Sequence, residues 1–138
     1  MSDLFDKTTD ALASSLNFRL IRQNITAANI ANAETPGYKA KKIDFEEALE
    51  AAIDRAHRVS ATVDSSDHFP VGAGPISKVR ADIYDNPEGN VSNDGNTVDM
   101  EKEMATMAEN SILYKAALRL INKKLGLMKY AVTEGGRR

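Results

Sequence analysis

Residues 100–132 read MEKEMATMAENSILYKAALRLINKKLGLMKYAV. Within them Met100, Met104, Met107, Ser111, Tyr114, Leu118, Ile121, Leu125, Met128 and Val132 follow in alternating steps of four and three. Only Ser111 breaks the apolar character of this sustained heptad pattern. The spacing predicts one long helix, roughly 50 Å at ~1.5 Å per residue. Asn96 or Thr97 is placed to cap its start, with Asp99, Glu101 and Glu103 in the first turn and Gly135-Gly136 as its stop. A second stripe, Leu113, Ala117, Leu120 and Leu127, broadens the apolar surface.

The other end of the chain carries a matching helix. Across residues 4–33, one apolar line is Leu12, Leu16, Leu20, Gln23, Ala27 and Ile30, and a second is Phe18, Ile21, Ile25 and Ala28. Each set lies on one side of a helix. Together they make a surface too wide for a single partner. The stop is Thr35-Pro36-Gly37: the pre-proline residue is driven out of the helical region, and glycine permits the turn. The chain then leaves through Tyr38 and the basic run Lys39, Lys41 and Lys42.

Between these helices the composition changes. Asp44 followed by Glu47 reads as a helix start, with Phe45, Leu49, Ile53 or Ala52, and Ala56 on one narrow face of a short helix ending near Arg58. From Val59 to Asn96 Gly, Pro, Asp, Ser and Asn are frequent, which predicts a long loop. Ile76 to Tyr84 has room for a short strand, but its alternation is poor. The expected fold is mainly α. Long N- and C-terminal helices pair as a coiled-coil-like bundle, with a short middle helix and a long loop region, and assembly completes it. Residues 1–34 form an N-terminal assembly helix, 35–96 the turn, short helix and loop region, and 97–138 the heptad helix. All three belong to one domain.

Burying one stripe per helix falls short of the entropy cost of ordering some thirty residues in each. Neighbouring copies are therefore expected to cover the second stripe, and the termini to be weakly ordered alone. Met, Ala, Tyr and Ser among Leu and Ile suit a crowded multi-helix wall better than a two-stranded zipper. The bland alternative is a core helix of an ordinary bundle.

The bulk numbers narrow the function. The 138 residues carry a net charge of −2 and no basic block longer than Lys39–Lys42, so no nucleic-acid face is expected. No run of about eighteen apolar residues exists, which excludes a helical membrane span. Without cysteine there is neither a disulfide nor a thiolate metal site. The start, Met1-Ser2-Asp3-Leu4-Phe5-Asp6, is acidic and lacks the pattern of a cleaved secretory signal.

Two segments carry a family likeness. Asn29-Ile30-Ala31-Asn32-Ala33-Glu34-Thr35-Pro36-Gly37-Tyr38-Lys39 resembles the N-terminal signature of flagellar axial proteins, the family of rod, hook and hook-associated subunits. Gly95-Asn96-Thr97-Val98-Asp99-Met100-Glu101, opening a heptad helix with Tyr114, resembles its C-terminal segment. The short length, Tyr38-Lys39-Ala40, Ile43-Asp44-Phe45-Glu46 and His68 favour the proximal rod class. The other short rod class usually carries extra residues between helix and turn. Departures are Ala28-Asn29, where many members have two Asn, and Glu34 in place of Asn or Asp.

The resemblance implies a structural subunit of the proximal rod that serves motility and lies in the periplasmic part of the basal body. It implies export through the flagellar type III apparatus without signal cleavage. The implied partners are other copies, other rod proteins, the basal-body adaptor protein and the export gate. Asn24, Asn29 and Asn32 are expected to bond neighbouring backbone in the crowded wall and set register. The small Ala27, Ala28, Ala31 and Ala33 allow close helix approach, and Pro36-Gly37 sets where the chain leaves the tube.

Other chemistry is weaker. Asn90, Ser92, Asp94, Gly95 and Glu101 match part of an EF-hand loop, but position 1 lacks its Asp and Pro87–Gly89 stands where a helix should enter. Asp64, Asp67 and His68 hold one histidine in a Ser-rich loop. No phosphate loop, nucleophile elbow or carboxylate pair appears. No catalytic residue, cofactor or metal is assigned. The rivals are a soluble helical adaptor that folds as a monomer, and an enzyme that uses the long loop.

Overall fold

The computed structural model of the chain describes residues 7–57, 76–87 and 91–134. The order is α1 (Lys7–Ala31), β1 (Lys41–Asp44), α2 (Glu46–His57), a 3-10 turn (Ile76–Lys78), β2 (Asp82–Asp85) and α3 (Met100–Glu134). α1 and α3 pack antiparallel: Ala27 and Ile30 lie beside Met104 and Met107, and Arg19 and Gln23 beside Asn110 and Tyr114. The mainly helical class, the long terminal pair and the short middle helix are as expected.

The two apolar lines of α1 serve two different layers. Leu20, Gln23, Ala27 and Ile30 face α3. Phe18, Ile21 and Ile25 face the other way, into the main core with Ile43, Phe45, Leu49, Ala52 and Ile76. The second line of α1 is thus covered by the chain's own middle segment, not left for a neighbour as expected. The reason is a small layer built from β1, α2, the 3-10 turn and β2, of which only the short helix was expected outright.

That layer rests on a two-stranded antiparallel sheet with the register Lys41↔Asp85, Lys42↔Tyr84, Ile43↔Ile83 and Asp44↔Asp82. Neither strand was clear in advance. β1 has four residues and buries only Ile43, too few for a period of two to register. Asp44 does not start α2. It ends β1, and its carboxylate accepts a hydrogen bond from the Tyr84 hydroxyl. α2 starts just after it, with Phe45 at the cap position and the Leu49 N–H on the Phe45 carbonyl at 2.9 Å. Asp64, Asp67, His68 and Asn90 lie outside the described residues.

α3 is also capped differently. The Asp99 carboxylate accepts from the Lys102 N–H at 3.2 Å, so Asp99 is the cap, while Asn96 and Thr97 have other work. The helix is rotated relative to the heptad line. Met107, Tyr114, Ile121 and Met128 are half-buried, but the line beside them is Glu103, Asn110, Ala117 and Lys124. Met100, Met104, Leu118 and Leu125 are exposed instead. Asn110 explains the rotation. It is 2% exposed, and its amide donates to the Arg19 carbonyl at 2.8 Å and to Gln23 Oε1 at 3.1 Å. A buried amide with specific partners fixes one register, and Ala117 lets the helices close beside it.

Candidate assembly site

The two signature segments, far apart in sequence, interlock. α1 ends at Ala31, and the chain turns through Asn32, Ala33, Thr35 and Pro36 to Gly37, whose φ is 72°. The segment before α3 turns at Gly95, with φ of 79°. A Cβ on Gly95 would sit 3.6 Å from Gly37 Cα, so the two left-handed turns are stacked on each other. The Gly37 N–H donates to the Asp94 carbonyl at 2.9 Å, and the Thr97 N–H to the Tyr38 carbonyl at 3.1 Å. The Thr97 hydroxyl accepts from the Ala40 N–H at 2.9 Å, and Lys39 Nζ donates to the Gly95 carbonyl.

Asn96 is the centre of this clasp. Its amide nitrogen lies 2.8–2.9 Å from the carbonyls of Asn32, Ala33 and Thr35, and shares its two hydrogens among them. The Asn32 and Thr35 carbonyls also accept from the Thr35 N–H at 3.0 Å and the Tyr38 N–H at 3.2 Å, so Asn96 adds to the turn's own hydrogen bonds. Its Oδ1 accepts from the Val98 N–H at 2.7 Å. Asn96 thus caps the end of α1 from a position next to α3. Asn96→Ala removes three amide contacts and takes this donor from the half-buried Ala33 carbonyl, at ~1–3 kcal/mol for the set. Thermal unfolding followed by circular dichroism should show a midpoint lower by several degrees.

Asn29 holds the other side of the signature. It is 1% exposed. Its Nδ2 donates to the Lys41 carbonyl at 2.8 Å, and its Oδ1 accepts from the Lys41 N–H at 3.0 Å and from the Tyr38 hydroxyl at 3.2 Å. The carboxamide stands where a third strand's peptide would pair. Two strand residues on, Arg22 Nη2 donates to the Ile43 carbonyl at 2.7 Å. Arg22 and Asn29 are seven residues apart on one face of α1, so together they cover the free edge of the sheet. Sequence reasoning missed this edge cover. The available signal was two polar residues at helical spacing inside a broad apolar face.

The expectation that Asn29 and Asn32 bond neighbouring copies is therefore corrected. Both are engaged within the chain, Asn32 through its Nδ2 to the Ala28 carbonyl and its Oδ1 to the Thr35 hydroxyl. Asn24 is exposed. Ile30 is half-buried against α3, Ala31 is exposed at the groove rim, and Ala33, Thr35, Pro36, Gly37 and Tyr38 make the turn itself.

Charge reinforces the junction between α1, β1 and α2. Arg22 pairs with the Glu46 carboxylate and lies 4.6 Å from the centre of the Phe45 ring. Burial pushes the Glu46 carboxyl up, but the hydrogen bond and charge of Arg22 outweigh it and hold the group below the ordinary carboxylate range. Burial raises Glu103 above that range. The hydrogen bond with Asn29 opposes the rise, and the charge of Asp99 adds to it. Among the described residues no three His, Cys, Asp or Glu side chains are grouped as a metal site. No described helix is long and apolar enough to cross a membrane.

The outward side of α3 is the remaining feature. Leu118 and Leu125 are 39% and 40% exposed, and Leu120 and Leu127 are 57% and 61% exposed. Among the described residues, these leucines keep between two-fifths and three-fifths of their surface exposed along the helix. Of the predicted heptad residues, the structure places Met104, Met107 and Tyr114 beside α1, half-buries Ile121 and Met128, and leaves Met100, Leu118 and Leu125 exposed.

Residues 10–39, which run from α1 through the turn at Gly37, match the family model described as "Flagella basal body rod protein". The chain is 39% identical over 141 residues to the flagellar basal body rod protein FlgB of Salmonella typhimurium, covering 99% of both chains. It is 35% identical to FlgB of Proteus mirabilis, covering 98% of this chain and all of the relative. It is 36% identical to FlgB of Escherichia coli over 98% of this chain.

The chain belongs to the FlgB family of flagellar basal body rod proteins.

As a FlgB-family member it is a structural subunit of the flagellar basal body rod. The clasp now has a reading in those terms. In this FlgB-family chain both signature segments build one junction, so the likeness seen at two distant places in the sequence describes a single structural unit.

Proposed function

We propose that this chain builds the proximal rod, joining its own copies and other rod proteins through the outward faces of its terminal helices. The basal-body adaptor and the export gate lie on one side of it and further rod subunits on the other. It leaves the cytoplasm through the flagellar export apparatus without signal cleavage, and it catalyses no reaction. The observation that carries this reading is a pair of apolar flanks on α3: Leu118 and Leu125 are exposed on one, and Leu120 and Leu127, about half a turn round the helix, on the other. Exposed apolar stripes of that kind mark contacts with another protein. A head-to-tail contact that does not close by rotation extends as a helix, which is what a rod requires.

Deleting the coding sequence tests the reading. Cells are expected to lose rods in electron micrographs of isolated basal bodies and to stop swimming, and the intact gene is expected to restore both. Complete flagella on the deletion strain would overturn it.

A further inference from the structure

A second, charged surface lies away from the α3 leucines. A groove of about 330 Å³ opens where α1, β1 and the start of α3 meet. Ile25, Ile43, Lys41, Lys42 and Lys102 are among the residues that line it. All three lysines are exposed. Lys102 reaches Asp99 at 3.5 Å in a solvated pair, and Lys41 and Lys42 have no ion-pair partner among the described residues. Arg22 also lines the groove but is held by Glu46. The one carboxylate there, Glu103, is hydrogen-bonded to Asn29.

The complementary surface is on α2. Glu47, Glu50 and Asp54 are exposed and follow in steps of three and four, so they form one acidic ridge. Leu49 and Ala52 anchor the opposite side of α2 in the core. The ridge therefore points away from the molecule and cannot reach its own chain's groove. Each copy carries one cationic groove and one anionic ridge on different surfaces.

We infer that the acidic ridge Glu47/Glu50/Asp54 of one copy docks into the Lys41/Lys42/Lys102 groove of the next. The contact is heterologous, so repeating it propagates an open array. Complementary charge orients the encounter and selects the register, and the apolar lining adds contact area. This inference rests on the self-assembly reading above.

Charge exchange tests it on the full-length chain in cells. Lys41→Glu/Lys42→Glu/Lys102→Glu is expected to reduce swimming roughly tenfold or more, and Glu47→Lys/Glu50→Lys/Asp54→Lys to do the same. The chain carrying all six changes should recover most of the swimming, because every copy then presents a reversed but matched pair. Purified variants should keep the parent's thermal unfolding midpoint. If a triple variant does not, Lys42→Glu and Glu50→Lys, alone and combined, are read in the same way. Parental swimming by either reversal alone, or no recovery in the combination, overturns the inference. Those results leave the rod assignment standing, since only a swimming deletion strain removes that.

Discussion

Replacing Leu118 and Leu125 together by Glu is expected to leave the chain folded and to keep it out of the rod. The two side chains are 39% and 40% exposed on one flank of α3 among the described residues. A surface substitution of this kind changes stability by about 0.5 kcal/mol or less. A neighbouring subunit changes that balance. If Leu118 and Leu125 are buried between subunits, each Glu carries a carboxylate into an apolar contact with no cation to meet it. Even after relaxation that costs several kcal/mol per site, on the order of a ten-thousandfold loss of affinity for the pair. The purified double variant should unfold within a few degrees of the parent. The same variant, expressed in the deletion strain, should give non-swimming cells. Normal swimming would show that this side of α3 meets solvent in the finished rod.

Phe45→Ala should act in the opposite way, on the fold first. Phe45 is 2% exposed and stacks on Phe18 with ring centres 5.1 Å apart. Arg22 covers its other approach at 4.6 Å. It joins β1 to α2 and packs in the core shared by α1, the sheet and α2. Removing a buried aromatic ring costs about 3–5 kcal/mol in transfer and cavity terms. That is a large share of the ~5–15 kcal/mol that holds a typical domain together. The unfolding midpoint should fall by roughly 10 °C or more. A drop of only a degree or two would mean that the middle layer contributes little to the stability of the terminal helices.

These two outcomes separate the fold from the assembly. Phe45 and Asn96 secure features inside one chain, the first through apolar contact and the second through the end of α1. Leu118 and Leu125 do nothing comparable inside the chain, although they share the heptad line with Met107 and Tyr114.

How much was legible beforehand follows from the range of each interaction. Helix periodicity is local, so both terminal helices and the stop at Pro36-Gly37 could be read directly from the order of residues. The pair of signature segments was legible as family resemblance, and so was the kind of protein to which they belong. Polar placement was not. Asn29 and Asn32 looked like contacts to a neighbour because their partners, Lys41 and Ala28, exist only once the chain has turned back or the helix has formed.

What only the tertiary structure decided is which apolar line ends up covered. A helix with two lines offers two equivalent solutions, and periodicity cannot rank them. For α1 the folded middle segment took the second line, because β1 and β2 found each other across forty residues and brought Ile43 and Phe45 to Phe18. For α3 a single buried amide, Asn110, set the rotation about α1, because this register gives its Nδ2 the Arg19 carbonyl and Gln23 Oε1. The order of residues determined that these helices have more apolar surface than one partner can cover. The long-range contacts determined where the surplus lies.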